Sequence, residues 1–598
     1  MKKTSLVVED QTASVAETEL DLARNALSYD LKPYSSHPFP QTAPSRVSAI
    51  AQLFGLSPVA PTKARVLELG CSSAGNIIPL AAHYPNAQFV GVDISRIQIA
   101  EGRGRIDNLS LKNISLRCES FTECDAAVLG KFDYVIVHGV YSWVAAPVRE
   151  AMLDLIGKVL NDNGVAYISY NVLPGWRIPQ TLRDALVHIV PTDAPMEERV
   201  RVARFAIRFI AESSSDQSLY GKGLREWAAQ LEGLPDDYLV HEFLEPVNQP
   251  CTVSEFLNSA DKHGLAYLGE SDLPTMVPEN AVGDRADAIR QMTGNNIIAV
   301  EQFIDLINGR TFRQSLLVKT AAAAKINRNL SPASLDKLHF VCDHSYRASD
   351  GSDGDLFTAL DGAGRTVTAT SFEVGKALQH IQKLFPQSFT VASLCKDLGI
   401  KQAEGREAIA DLILRMVLAG LLVPMAEKIV ATDVAKTKPL ATSLARTDAL
   451  QGLRFTTNSK HERVEIDPAA RIALPLLDGE SDRDTLTNAL INAGKSGQLA
   501  FAKDGVAISD ESELAGAAQQ VSDQVLQGLA QTRSVVWDAE PRSATPGATD
   551  VRLLGLVTVD SKAVDAACAS ERLPNTKSLP ALQPVYRLAQ LPSTKRTS

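Results

Sequence analysis

A chain of 598 residues exceeds what one hydrophobic core can organise and is expected to form two to four domains. Its composition, 45% hydrophobic and 22% charged, is that of an ordinary globular protein; the net charge of −10 argues against nucleic acid as the main partner, because phosphate binding needs a basic face. The seven cysteines (Cys71, Cys118, Cys124, Cys251, Cys342, Cys395 and Cys568) are scattered without a CxxC pair, so no zinc knuckle, disulfide framework or other metal site is expected.

The opening MKKTSLVVEDQ has only LVV as an apolar run before Glu9 and Asp10, shorter than a secretory signal needs. No run reaches the ~20 apolar residues of a membrane span, so a cytoplasmic protein without membrane insertion is expected. From residue 64 strand-like runs alternate with helical stretches. RVLELG (65–70) leads to NIIPLAAHYP (76–85), and AQFVGVDIS (87–95) to RIQIAEGRGRIDNL (96–109). NISLRC (113–118), FDYVIVHG (132–139), a helix from Val148 to Leu160 and GVAYISY (164–170) follow. This alternation predicts an α/β fold, a Rossmann-like parallel sheet with helices on both faces, whose ligands lie beyond the carboxyl ends of the strands.

The pattern turns helical from Pro179 to Gly233, with VRVARFAIRFIAE as the clearest amphipathic run, and the sheet resumes through AYLGE (266–270) and FRQSLLV (312–318). After a linker at 321–334, the runs FEVGKALQHIQKLF, TVASLCKDLGI and GREAIADLILRMVLAGLLVP predict three helices and a short strand, an order that resembles a winged helix. Its third helix mixes Glu404, Glu407 and Asp411 with Arg406 and Arg415, which fits a protein contact better than DNA. Cys342-Asp343-His344, with no further ligands nearby, is expected in a surface loop.

The division is therefore 1–45, an N-terminal segment over the site; 46–178, the core; 179–250, an inserted helical lid; and 251–320, the end of the sheet. Then come 335–435, winged-helix-like; 440–545, a further small C-terminal domain; and 546–598, a partly flexible tail. The C-terminal modules also offer surfaces for a homo-oligomer.

VLELGCSSAGN (66–76) joins a strand to a helix through a Gly-rich turn, where backbone and ligand can approach closely. Neither G-x-G-x-x-G nor the phosphate-loop pattern is present. An acid two residues before the first glycine, Glu68-x-Gly70, followed by Asp93 at the end of the next strand, resembles the class I S-adenosylmethionine-dependent methyltransferases. Ser72 and Ala74 stand where a fuller pattern has glycine; both are small enough for the turn to survive. The resemblance implies that Glu68, Gly70, Ser72, Gly75 and Asn76 cradle the amino-acid end of S-adenosylmethionine. It further implies that Asp93 takes the ribose hydroxyls and that Glu119, Ser120 and Phe121 flank the adenine. Tyr34, Ile94, Gln98 and His138 complete the implied cofactor set.

Segments YDLKPYSSHPFPQTAPSRVSAIAQLFGL (29–56), HGVYSWV, SYNVLPGWRIPQTLRD (169–184), HEFLEPVNQP (241–250), HGLAYLGESD (263–272) and NGRTFRQSLLV (308–318) carry a narrower resemblance. They resemble bacterial proteins with a methyltransferase regulatory domain, a group that includes the rickettsial protein lysine methyltransferases of outer-membrane proteins. At one point the chain departs from them: Thr42-Ala43-Pro44 stands where those relatives tend to carry Thr-His-Pro.

Methyl transfer from a sulfonium requires an aligned nucleophile with a lone pair, so a lysine must first lose the proton it holds with a pKa of ~10.4. Aromatic faces stabilise an alkylammonium by ~0.5–2 kcal/mol each. Tyr34, Tyr141, Trp143, Tyr170 and Trp176 are candidates for such walls, Asn171 for orienting the amine, and His138 for a general base. Structural packing is the competing explanation for each aromatic. Three activities fit: N-methylation of lysine in a protein, which best matches the accessory domains; methylation of a small metabolite held by the lid; and cofactor binding without turnover in a scaffold or sensor.

Overall fold

Strands that are apolar on both faces bury their side chains only between two helical layers, and the runs beginning at Arg65 do so. A computed structural model describes residues 36–342, 345–349, 357–369, 371–429, 438–503, 506–508 and 510–532, together with the strand Gly555–Thr558. Seven strands make the central sheet: β1 (Arg65–Leu69), β2 (Gln88–Asp93), β3 (Ile114–Cys118), β4 (Phe132–Val137), β5 (Leu160–Asn171), β6 (Leu265–Glu270) and β7 (Phe312–Lys319). Their order is β3-β2-β1-β4-β5-β7-β6. Strands β1 to β5 pair in parallel, with Leu67 placed between Val90 and Val135. The chain steps outward from β1 to β3, then returns to β4 on the other side of β1. That reversal opens a crevice beyond the carboxyl ends of β1 and β4.

The sheet is mixed rather than wholly parallel, because β7 runs antiparallel between β5 and β6. The connection over 271–311 returns the chain at the end of the sheet where β6 leaves it, which an antiparallel neighbour requires. Inside this corner, buried Arg313 meets Glu270 (2.8 Å), Glu301 (2.8 Å) and Asp305 (2.8 Å).

Between β5 and β6, the helices Arg177–Ile189, Met196–Ser213 and Leu219–Glu232 pack around Leu182, Leu186, Ile207, Leu224 and Phe243. They lead into a π-helical turn, Val240–Leu244. The next helix, Val253–Lys262, starts at a capping box in which Thr252 and Glu255 each satisfy the other's backbone N–H.

Helices Phe372–Leu384, Val391–Asp397 and Ala403–Leu418 and the strand Leu422–Met425, paired with His339–Cys342, share one continuous apolar core with the face of the sheet that carries Tyr134 and Leu316. Cys342 is thus buried in a strand and not in a surface loop, while Asp343 and His344 lie outside the described residues. The last unit has its own core around Leu474, Leu490, Phe501 and Leu526. It meets the seven-stranded unit through Arg105–Asp448 (2.9 Å) and through the turn that carries His461. Among the described residues no helix is long and apolar enough to cross a membrane.

Candidate active site

β1 ends at Leu69 and the chain turns at Gly70, where φ is 76° and a Cβ would collide with Cγ2 of Val140. Only glycine meets both conditions. Farther round the turn Ser72 (φ 52°) and Ala74 (φ 62°) also take the left-handed conformation, which disfavours an L side chain by about 1–2 kcal/mol each. Ser72 N–H donates to Asp93 Oδ2 (2.8 Å) and Ser95 N–H to Asp93 Oδ1 (2.9 Å), so one carboxylate ties the turn to the end of β2. Gly75 lies directly under Ser36 and donates its N–H to Ser36 Oγ (2.7 Å).

These pieces, the end of β4 and the π-helical turn enclose a cavity beyond β1 and β4. Of the expected cofactor residues, Glu68, Gly70, Ser72, Asn76, Asp93, Ile94, Gln98, Glu119, Ser120, Phe121 and His138 line it. Gly75 does not, being covered by Ser36, and Tyr34 lies outside the described residues. Among the expected catalytic residues His138, Trp143 and Asn171 face the cavity.

Tyr141, Tyr170 and Trp176 do not. The Tyr170 ring stacks on Phe256 at 4.1 Å and its hydroxyl shares a hydrogen bond with Ser315 (3.1 Å). Adjacent residues of a strand point to opposite faces, so Asn171 and Tyr170 diverge at the end of β5. Tyr141 stands edge-on to Phe256 at 5.1 Å, and Trp176 packs beside Phe243 at 6.5 Å. These three aromatics are core.

Burial dominates the electrostatics. Glu68 is pushed up to about 8 by loss of water; the Asn76 bond opposes this and the charge of Asp93 adds to it. Asn76 Nδ2 donates to Glu68 Oε1 (2.7 Å), whereas Oε2 has no hydrogen-bond partner among the described residues. Asn76 Oδ1 accepts from Phe39 N–H (2.9 Å), Thr42 Oγ1 (3.1 Å) and His461 Nε2 (2.7 Å). On the cavity wall, buried Ser72 Oγ and Gln98 Nε2 also lack partners among the described residues. His138 packs against Phe39 with ring centroids 3.7 Å apart and planes tilted by 31°, and it shares a hydrogen bond with Tyr167 through Nδ1 (2.9 Å). Burial, aided by His37, holds it down at about 3, so its ring is neutral near pH 7 and unsuited to keep a proton.

Phe39, Glu242 and His461 were not among the expected site residues. Phe39 and Glu242 do fall within stretches that carried the family resemblance, and Glu242 is an acid inside the mostly apolar run HEFL. His461 had no local signal at all.

Three family models match the chain: a Methyltransferase domain over residues 62–232, a Predicted methyltransferase regulatory domain over 235–319, and a PKMT, C-terminal winged helix domain over 437–533. The last covers the small C-terminal unit, C-terminal to the three-helix stretch that the sequence pattern likened to a winged helix. The chain is 31% identical over 500 residues to the uncharacterized protein RP789 of Rickettsia prowazekii, covering 81% of this chain and 89% of that one. It is 35% identical over 245 residues to RP028 of the same organism, covering 41% of this chain and 98% of the relative. Among solved structures it is similar to PKMT2 from Rickettsia typhi in complex with AdoHcy, with 26% identity, a TM-score of 0.75, and coverage of 84% of this chain and 100% of that one.

Proposed function

The chain belongs to the class I S-adenosylmethionine-dependent methyltransferases that carry a methyltransferase regulatory domain and a C-terminal winged helix, and from that premise we propose that its acceptor is the side-chain amine of lysine in a protein. The observation that carries the cofactor assignment is the Glu68–Gly70–Asp93 constellation, with unpartnered polar atoms turned into one cavity. An orphaned buried polar atom is disfavoured by about 1–3 kcal/mol. Glu68 Oε2, Ser72 Oγ and Gln98 Nε2 therefore suit a ligand rich in polar groups.

S-adenosylmethionine supplies a methyl group on a positive sulfonium. Glu68 and the turn at Gly70 would hold its ammonium end, Asp93 its ribose diol, and Ile94 and Phe121 the adenine. The backbone N–H bonds from Ser72 and Ser95 keep Asp93 in place before any ligand arrives. Trp143, Phe39 and neutral His138 line the same cavity and offer an approaching amine faces without positive charge. Such faces tolerate an alkylammonium product, by ~0.5–2 kcal/mol per ring. The likeness to PKMT2 and the multi-domain build support a protein acceptor over a small one.

The test has two stages. Calorimetry should show micromolar S-adenosylmethionine binding, about −8 kcal/mol, and a loss of at least tenfold in Asp93→Ala. Incubation of the protein, methyl-labelled cofactor and bacterial protein extract should then place label on lysine Nζ, read by peptide mass spectrometry. Label confined to the small-molecule fraction would sink the protein-lysine reading.

A further inference from the structure

Among the described residues four carboxylates line the cavity and no lysine or arginine does. Three of them are already engaged by the protein. Asp93 accepts two backbone N–H groups, Glu68 accepts from Asn76, and Glu119 pairs with Arg117 at 2.6 Å. The fourth, Glu242, is buried, 5% exposed, and its Oε2 has no hydrogen-bond partner among the described residues. It sits on the π-helical turn Val240–Leu244, a geometry that often marks functional positions. Arg183, on the helix Arg177–Ile189, is near enough to stabilise its charge, but the Arg183 guanidinium donates to the carbonyl of Glu245. On the same turn His241 meets Glu245 at 3.3 Å. His138, Glu119, Asp93 and Glu68 line the same cavity.

A buried carboxylate that lines a cavity with one oxygen lacking a hydrogen-bond partner among the described residues, its nearby arginine donating elsewhere, is a receptor for a cation. Glu68 and Asp93 lie on the cofactor's side of the cavity; Glu242 comes from the regulatory segment and shares the cavity with Trp143 and Asn171. We propose that Glu242 recognises the acceptor amine, drawing a primary ammonium into the cavity and taking one proton from it before methyl transfer. This rests on the reading of the site as an amine methyltransferase and adds the group that selects the amine.

The protons and electrons balance as follows. One proton passes from the ammonium to Glu242, leaving a neutral amine and a carboxylic acid. The nitrogen lone pair forms the bond to the methyl carbon while the carbon–sulfur bond breaks, its electron pair staying on sulfur, which becomes neutral. The positive charge now sits on the methylated nitrogen, and the Glu242 proton leaves to solvent. Burial suits Glu242 to this step: it is pushed up to about 8, against an ordinary value of 4.5. The gap to a lysine amine at ~10.4 then narrows from about six pK units to about two and a half. His138, held at about 3, is much the poorer acceptor.

The experiment begins by loading the full-length protein with S-adenosylhomocysteine. n-Butylammonium, the headgroup of a lysine side chain, and the neutral 1-butanol are then titrated into wild type, Glu242→Gln and Glu242→Leu. Wild type should prefer the ammonium at least tenfold, with its affinity rising with pH up to about 8 as the carboxyl ionises. Both variants should lose the preference while their S-adenosylhomocysteine affinity stays within twofold, which also reports that they are folded. A preference that survives in both variants, or is missing in wild type, overturns the proposal. If wild type fails to bind S-adenosylhomocysteine, the methyltransferase reading itself falls, an outcome visible before any amine is added.

Discussion

His461 Nε2 lies 2.7 Å from Asn76 Oδ1, although 385 residues separate them. An amide oxygen only accepts, and this one already takes the Phe39 N–H, so the imidazole donates and carries its proton on Nε2. Burial holds His461 at about 3 and therefore neutral near pH 7. Through Asn76 Nδ2 the contact continues to Glu68, so the C-terminal unit braces the acid at the floor of the cofactor pocket.

His461→Ala removes that brace without touching the cavity wall. We expect S-adenosylhomocysteine to bind about tenfold more weakly, about 1.4 kcal/mol, with a stability loss of about 1 kcal/mol from the hydrogen bond. Calorimetry and urea melts measure the two. Unchanged affinity would mean that the contact holds the domains together and does nothing for the pocket.

Cofactor binding should release a proton. Glu68 holds one up to about pH 8 in the folded protein, whereas an exposed glutamate releases it near 4.5. Because the folded pKa is the higher, Glu68 makes the empty protein lose stability as pH rises from 4.5 to 8. A bound ammonium reverses the preference and ionises the carboxyl. At pH 7, calorimetry in buffers of different ionisation enthalpy should count about one proton released, falling toward zero above pH ~9. Glu68→Gln should abolish the release.

Arg313→Met should destabilise the fold by about 3–5 kcal/mol, since it leaves buried carboxylates with too little counter-charge. Glu270, Glu301 and Asp305 would then share the single remaining Arg310. Urea unfolding gives the number. A loss under about 1 kcal/mol would show that water or protonation relieves the cluster easily.

Ser72→Gly should stabilise the empty protein by about 0.5–1 kcal/mol, the relief of a left-handed serine less the extra chain entropy of glycine. It also deletes a buried hydroxyl that has no partner among the described residues. A shift in the denaturation midpoint at constant slope is the readout, and a destabilised variant would show that Ser72 is not strained.

The strands β1, β4 and β5 were legible because burial on both faces leaves continuous apolar runs, and the turn at Gly70 with Asp93 was legible because both lie within one strand–turn–helix–strand unit. What escaped depends on direction or on distance. Tyr141 and Trp143 are two residues apart, and no pattern in VYSWV says which ring enters the core and which the crevice. The antiparallel entry of β7 hinges on where the connection over 271–311 emerges, which periodicity does not record. Glu242 acquires its meaning from a π-helical turn, and His461 from a domain contact, neither of which has a local period. Ser72 and Ala74 stand where a fuller pattern has glycine, but only the backbone reveals that both adopt the left-handed conformation.

The late arrival of β7 also sets a schedule for synthesis. As the chain leaves the ribosome, β5 is made long before Phe312–Lys319, the strand that covers its edge. Until then a buried, apolar strand has an open ladder, the situation that invites pairing with another chain. The helices Arg177–Ile189, Met196–Ser213 and Leu219–Glu232 are translated during that interval, so a nascent chain has them in hand before its sheet closes.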